Sequence, residues 1–312
     1  MSLTVRRAAH SDLEAVAHVY TLARPGNPAT AELLLAEDDA QQGAGAVHVR
    51  WLAERGGEVV GAAEVQEPLG SRAAGNFQME LAVLQTRRGQ GVGTLLYRAL
   101  KSELALHAPR RLGAVVSEAN PIALHFARKH GFAEVERFWD RTLELSGFDV
   151  ARYARPLPEG VELVTLARFA QTVPDVVAVL HPVNEEARAD LPRASGEVYT
   201  PLPRSDMTHF LAPLDPALLL LATQHGRPVG FTALGPSGAP GELMIAMTGV
   251  LRSHRRLGLA RALKLASIEA ARRAGWAVIR TTNHSGNLGM LKVNDALGFG
   301  REPARLGMMK RW

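Results

Sequence analysis

Two segments of this chain combine arginine and glycine in a way suited to gripping an anion: Arg88-Gly89-Gln90-Gly91-Val92-Gly93 and Arg255-Arg256-Leu257-Gly258-Leu259-Ala260. Each follows a stretch that reads as a strand and opens a segment with helical periodicity. A strand-to-helix turn of this kind gathers the first backbone N–H groups of the helix, which have no intrahelical acceptor, into one small volume. The helix dipole adds positive potential at the same place. Gly91 and Gly93 in the first segment, and Gly258 and Ala260 in the second, keep side chains out of the space that a diphosphate needs. Arg87, Arg88, Arg252, Arg255 and Arg256 are available either as phosphate contacts or as solvated surface charge.

A second pair of landmarks lies downstream: Asn120 leading to Gly131-Phe132, and Asn287 leading to Gly298-Phe299. Position 255 from 88, 258 from 91, 287 from 120 and 298 from 131 all differ by 167. Four landmarks held in one register argue for a duplicated domain. Either Asn can cap the helix that follows it, or hydrogen-bond amide groups on the arm of a cofactor. Gly131 and Gly298 read as left-handed helix terminators followed by a hydrophobic contact. Other phosphate motifs fit less well. A Walker loop requires Lys-Ser/Thr after its glycines, and Thr94-Leu95 follows Gly93. A dinucleotide fingerprint requires a third glycine where Thr94 stands.

The elements that must position these residues follow from periodicity and breakers. In the first copy a strand is expected over 4–8, helices over 12–20 and 29–38 around the breaker Pro25-Gly26-Asn27-Pro28, and a hairpin over 46–52 and 58–65. A strand over 77–84, a helix over 91–107, a short strand at 115–116, a helix over 122–130 and a strand over 133–145 complete it. The second copy repeats the later part: a hairpin over 218–223 and 229–234, a strand over 243–250, a helix over 259–274, a strand over 277–281, a helix over 288–297 and a closing strand ending near 310. The stretch 174–210, rich in Pro, Asp, Ser and Arg, matches weakly; it reads as a shaper of an acceptor pocket or as a surface insertion.

At 312 residues the chain has the length of two domains of roughly 150 each, each able to bury a core. The expected division is 1–153, a linker over 154–160, and 161–312. The absence of cysteine excludes a thiol nucleophile, a disulfide scaffold and thiolate zinc ligation, and fits a cytoplasmic protein. The histidines show no ligand spacing, so no metal is expected. The start of the chain has no long apolar stretch behind it, and the run at 217–222 is too short to cross a bilayer. A net charge of +5 from dispersed arginines suits a soluble enzyme with an anionic cofactor better than a nucleic-acid module.

With these residues in hand, the chain resembles the GCN5-related N-acetyltransferase (GNAT) family, and its tandem two-domain members in particular. Arg88-x-x-Gly91-x-Gly93 and Arg255-x-x-Gly258-x-Ala260 match the family's acetyl-CoA pyrophosphate signature. The segments from Asn120 to Phe132 and from Asn287 to Phe299 match its second hallmark region. Thr248-Gly249-Val250, Lys264, Thr282-Asn283 and Val293-Asn294 add a likeness to a tandem subgroup.

The resemblance implies two tandem α/β (α+β) acyl-CoA N-acyltransferase folds, each a mixed central sheet flanked by helices. It implies acetyl-CoA as cofactor and direct transfer to a primary amine in a ternary complex. The cofactor would be held by Val83, Arg88, Gly89, Gly91, Val92, Gly93 and Asn120 in the first copy. In the second it would be held by Val250, Arg255, Arg256, Gly258, Leu259, Ala260, Asn287 and Asn294. Backbone N–H groups near Val83 and Val250 would stabilise the thioester oxyanion.

The family's Tyr, which protonates the leaving thiolate, is replaced by Ala127 and Asn294. Glu80, a lone acid in its strand, and then Glu242 are candidate bases for the acceptor amine, His284 a candidate proton shuttle and Tyr199 a candidate acid. The second copy, nearer the subgroup pattern, is the expected catalyst. The acceptor would be a small-molecule or peptide amine, with no nucleic acid or membrane partner, and the protein a monomer or homodimer. A non-catalytic acyl-CoA-binding protein stays open as the alternative, given the missing Tyr.

Overall fold

The computed structural model describes residues 2–23, 28–69, 74–193 and 199–312. The expected breaker at Pro25-Gly26-Asn27 lies outside them. The chain forms two compact units, Met1–Val135 with Leu306–Trp312, and Glu136–Arg305.

The first unit runs β1 (Leu3–Arg7), α1 (Leu13–Ala23), α2 (Ala31–Gly43), β2 (His48–Arg55), β3 (Glu58–Gln66), β4 (Asn76–Val83), α3 (Val92–Leu104), β5 (Arg111–Ser117) and α4 (Pro121–Lys129). β1 to β4 form an antiparallel meander. β4 and β5 are parallel, as a connection through a helix requires. Leu13, Val16, Ala17 and Tyr20 of α1 pack on Leu52, Ala62 and Ala82 of the sheet. α3 buries Val92, Leu96, Tyr97, Leu100 and Leu104 on one face.

β6 (Ala133–Glu144) leads into the second unit, followed by α5 (Val150–Tyr153), β7 (Val161–Thr165), α6 (Leu166–Phe169), α7 (Val176–Ala189), α8 (Arg204–Leu211), β8 (Leu219–Gln224), β9 (Arg227–Pro236) and β10 (Glu242–Val250). Then come α9 (Leu259–Arg273), β11 (Val278–His284), α10 (Leu288–Ala296), β12 (Gly300–Arg301) and β13 (Arg305–Arg311). The sheet order is β7-β8-β9-β10-β11-β6, with β10 and β11 parallel. α7 covers one face over Phe231, Leu219 and Leu221. α9 covers the other over Val250, Leu220 and Ala222.

The duplication survives in three dimensions. β5 and β11, and α4 and α10, begin and end at positions 167 apart, as do the 3-10 turns Gln85–Arg87 and Arg252–His254. Two features depart from expectation. The units do not divide at 154–160: β6, from the end of the first copy, completes the sheet of the second unit, while β13, from the end of the chain, completes the sheet of the first beside β5. The weakly matching stretch contains α7, a 14-residue helix with Pro182 inside it. Proline removes a helical hydrogen bond and blurs the pattern, but Leu180, Val183 and Ala187 still form a buried face. Among the described residues no helix is long and apolar enough to cross a membrane.

Candidate active site

In the second unit β10 and β11 pair only from Glu242–Val278 to Met244–Arg280. Beyond that, β10 has no strand partner on this side among the described residues, and the two strands bound a split. A β-bulge between Ile245 and Met247 also interrupts pairing with β9, leaving Ala246 unmatched. At the end of the split a cavity of about 450 Å³ opens, walled by Thr248, Gly249 and Val250 of β10, Met290 and Val293 of α10, and Ala187 of α7. Gly249 is required for this packing: a Cβ there would stand 2.6 Å from that of Ala187.

Arg255, Arg256, Gly258, Leu259, Ala260 and Arg261 also line the cavity. Gly258 caps α9 at φ 82° with no side-chain hydrogen bond. The first intrahelical bond is Ala262 N to Gly258 O, 3.0 Å, so the N–H groups of Leu259, Ala260 and Arg261 have no acceptor within the helix. A Cβ at Gly258 would meet nothing within 4 Å, so it is the left-handed backbone rather than crowding that asks for glycine here. Arg256 takes φ 62°, left-handed and unusual for a residue with a Cβ. Such strain persists where surrounding structure enforces it.

Here the enforcement is visible. Arg255 Nε donates to Val250 O at 3.0 Å, folding the loop back on the strand. Arg252 and Arg255 both grip Asp190 at the end of α7, at 2.6 and 2.7 Å. The hydrogen bond from Arg252, then that from Arg255, holds the Asp190 carboxyl down to about 2.

The first unit builds the same turn. Gly91 caps α3 at φ 84°, Gly89 takes φ 75° where Arg256 stands in the other copy, and Arg88 Nε donates to Val83 O at 3.2 Å. A Cβ at Gly91 would again meet open space, whereas one at Gly93 would touch Phe126 and Leu81 at ordinary contact distance. Val92 is buried in the core beneath the turn. β4 differs from β10, since its register with β3 runs unbroken from Gly61–Val83 to Gln66–Gln78.

Of the cofactor candidates in the second copy, Val250, Arg255, Arg256, Gly258, Leu259, Ala260 and Asn287 line the cavity. Asn294, against expectation, does not: it is fully buried, accepts from Lys264 Nζ, and donates to Asn283 Oδ1 at 2.6 Å. Burial pushes the Lys264 ammonium down to about 7, with Arg141 adding to the effect. Asn120 and Asn287 both cap their helices, accepting from Ala123 N and Met290 N at 3.0 and 3.2 Å. Asn287 does so on the cavity wall.

None of the four proton-transfer candidates lines the cavity. Glu242 is at the opposite end of β10, roughly 25 Å from Val250, and a hydrogen bond from Arg280 lowers its pKa. That pairing removes it as a base. Tyr199 donates to Glu185 on α7, and its pKa is raised by burial first and by Glu185 second. His284 accepts from Gly286 N at 2.9 Å, which makes it a loop brace, while its buried Nε2 has no partner among the described residues. Glu80, half-buried on β4, stands opposite Glu64, whose carboxylate Arg50 binds at 2.7 Å.

Thr248, Gly249, Met290 and Val293 went unnamed as site residues because apolar or small side chains carry no chemical signal. Asp190 was missed because it is one acid within an irregular stretch.

The profile of the Acetyltransferase (GNAT) family matches residues 14–132 and 182–299. A mycothiol acetyltransferase of Saccharopolyspora erythraea is 28% identical over 259 residues, 80% of each chain. Among solved structures, a GCN5-related N-acetyltransferase from Sphaerobacter thermophilus superposes with a TM-score of 0.75 at 20% identity, covering 99% of this chain and 95% of its own. A tandem GNAT protein from the clavulanic acid biosynthesis pathway gives 0.72 at 23%, covering 99% and 98%. These last two speak to the fold. With the family's profile matched twice over most of its length, the chain belongs to the GNAT acetyltransferase family, as a member with two tandem copies of the fold.

Proposed function

We propose that the protein transfers an acetyl group from acetyl-CoA to a primary amine, directly and in a ternary complex, and that the second copy carries the reaction. The observation behind this reading is the cavity at the split of β10 and β11, lined by three residues of α9 whose N–H groups have no acceptor within the helix. Its chemistry fits acetyl-CoA, which supplies an acyl group activated as a thioester. Leu259, Ala260 and Arg261 N–H face where a pyrophosphate sits against the dipole of α9. Arg256 and Arg261 add positive charge. The edge of β10 beyond Met244 offers backbone donors to the split, where they would stabilise an oxyanion on the thioester carbonyl. The acceptor is a small-molecule or peptide amine, and the setting a cytoplasmic one without nucleic acid or membrane; the relative from Saccharopolyspora, a mycothiol acetyltransferase, supports a small acceptor.

One observation favours a second reading, an acyl-CoA-binding protein without catalysis. Ala127 and the sealed Asn294 occupy the positions where the family places its proton-donating Tyr. The two readings part in one experiment, in which the full chain is mixed with acetyl-CoA and a panel of primary amines and free CoA thiol is followed. Amine-dependent thiol release supports the enzyme. Acetyl-CoA binding without release from any amine supports the binder.

A further inference from the structure

Five positions separate the two copies at the same place in the fold. Where the first copy has Tyr97, Leu100, Ala114, Val116 and Ala127, the second has Lys264, Ser267, Thr281, Asn283 and Asn294, each 167 further on. Four of these five in the second copy are at most 2% exposed; Asn283 is half-buried. Sealing polar groups in a core is unfavourable unless they bond to one another, and three of these do.

The bonds have a direction. As an ammonium Lys264 Nζ has no lone pair and can only donate; in the structure it donates to Asn294 Oδ1. That leaves Asn294 Nδ2 to donate to Asn283 Oδ1, at 2.6 Å. Asn283 Nδ2 therefore points away from Asn294, and it has no partner among the described residues. Asn283 is three positions past Arg280, the last residue of β11 paired with β10, so it borders the split. Val293, the neighbour of Asn294, is on the cavity wall, while Asn283 itself borders the split without lining the cavity.

We propose that Asn283, oriented by Lys264 through Asn294, donates its Nδ2–H to the thioester sulfur in the second copy and stabilises the thiolate that leaves. The inference rests on the acetyl-CoA reading above. As the amine nitrogen bonds to the carbonyl carbon, the carbon–sulfur bond breaks and its electron pair passes to sulfur. The nitrogen gives up its proton to solvent, and sulfur later gains one from solvent. Asn283 keeps its proton and contributes only the hydrogen bond. Lys264 acts as a positioning residue. The first copy, with Val116 and Ala127, has no such donor, which assigns the chemistry to the second.

The test compares free CoA with desulfo-CoA by titration calorimetry at pH 8.5, where a substantial share of a thiol is ionised. Wild type should bind CoA more tightly than desulfo-CoA by roughly tenfold or more. In Asn283→Ala that preference should vanish while the desulfo-CoA affinity stays within about twofold. Lys264→Met with Asn294→Leu, which puts apolar side chains of similar size in place of the buried pair, should behave alike; Asn283→Ala alone decides if the double variant does not fold. In acetyl transfer, Asn283→Ala should lower kcat roughly 10- to 100-fold with little change in KM for acetyl-CoA. An unchanged preference for CoA in Asn283→Ala overturns the inference. If wild type binds neither ligand, the acetyl-CoA reading itself falls.

Discussion

Lys264 shows how one side chain can be both expensive and informative. It sits among Leu263, Ser267 and Ile268 on the buried face of α9, with its ammonium 5.3 Å from the centre of the Phe299 ring. The folded protein releases this proton above about 7, whereas the unfolded chain holds it to about 10.5. Between those values the unfolded state binds more protons, so stability must rise with pH across that window. Urea unfolding at pH 7 and pH 9.5 should show the rise in wild type and a flatter profile in Lys264→Met.

The arginine and glycine spacing of the cradle was legible because it is a backbone requirement written in residue types. Asn294 was legible only as a polar residue in the right place. Its orientation depends on Lys264, thirty residues earlier, and no local pattern carries that. Glu242 misled for a similar reason: an acid near a strand looks available until Arg280, on the neighbouring strand, is seen to hold it.

α7 positions the cradle from the side. Ala187 packs on Gly249, and Asp190 at the helix end gathers Arg252 and Arg255. Because the Asp190 carboxyl is held at about 2, its contribution is present above the ordinary 3.8 and is lost as pH falls toward 2. At neutral pH the tie should be intact, and Asp190→Asn should loosen the turn that carries Arg255. We expect KM for acetyl-CoA to rise about fivefold with kcat nearly unchanged, in keeping with partly exposed ion pairs; steady-state kinetics checks it. Long amphipathic helices and the strands before the two cradles were readable from periodicity. α7 was not, since Pro182 broke its pattern, and the bulge in β10 was not, since it is a matter of register with β9.

The repeat at 167 gave the architecture, and the structure keeps it to the residue in β5 and β11 and in α4 and α10. What periodicity does not encode is which sheet an edge strand joins. β6 and β13 both read as closing strands of their own copies, yet each unit is completed by the strand from the other copy. A duplicated chain also leaves open which copy works, and the two turns are alike in backbone. The proposal that the second copy works rests on its bulge, its cavity and its polar chain. Gly258→Val forces a β-branched residue into a left-handed conformation that costs about 1–2 kcal/mol, and adds methyl groups at a residue that lines the cavity. Gly91→Val forces the same conformation in the first copy. The most direct measurement is acetyl transfer, with acetyl-CoA titration calorimetry alongside, on wild type and these two variants. The account predicts that Gly258→Val loses transfer and at least tenfold in acetyl-CoA affinity at the active site, while Gly91→Val transfers as wild type does. Full transfer by Gly258→Val, or its loss in Gly91→Val alone, would contradict it.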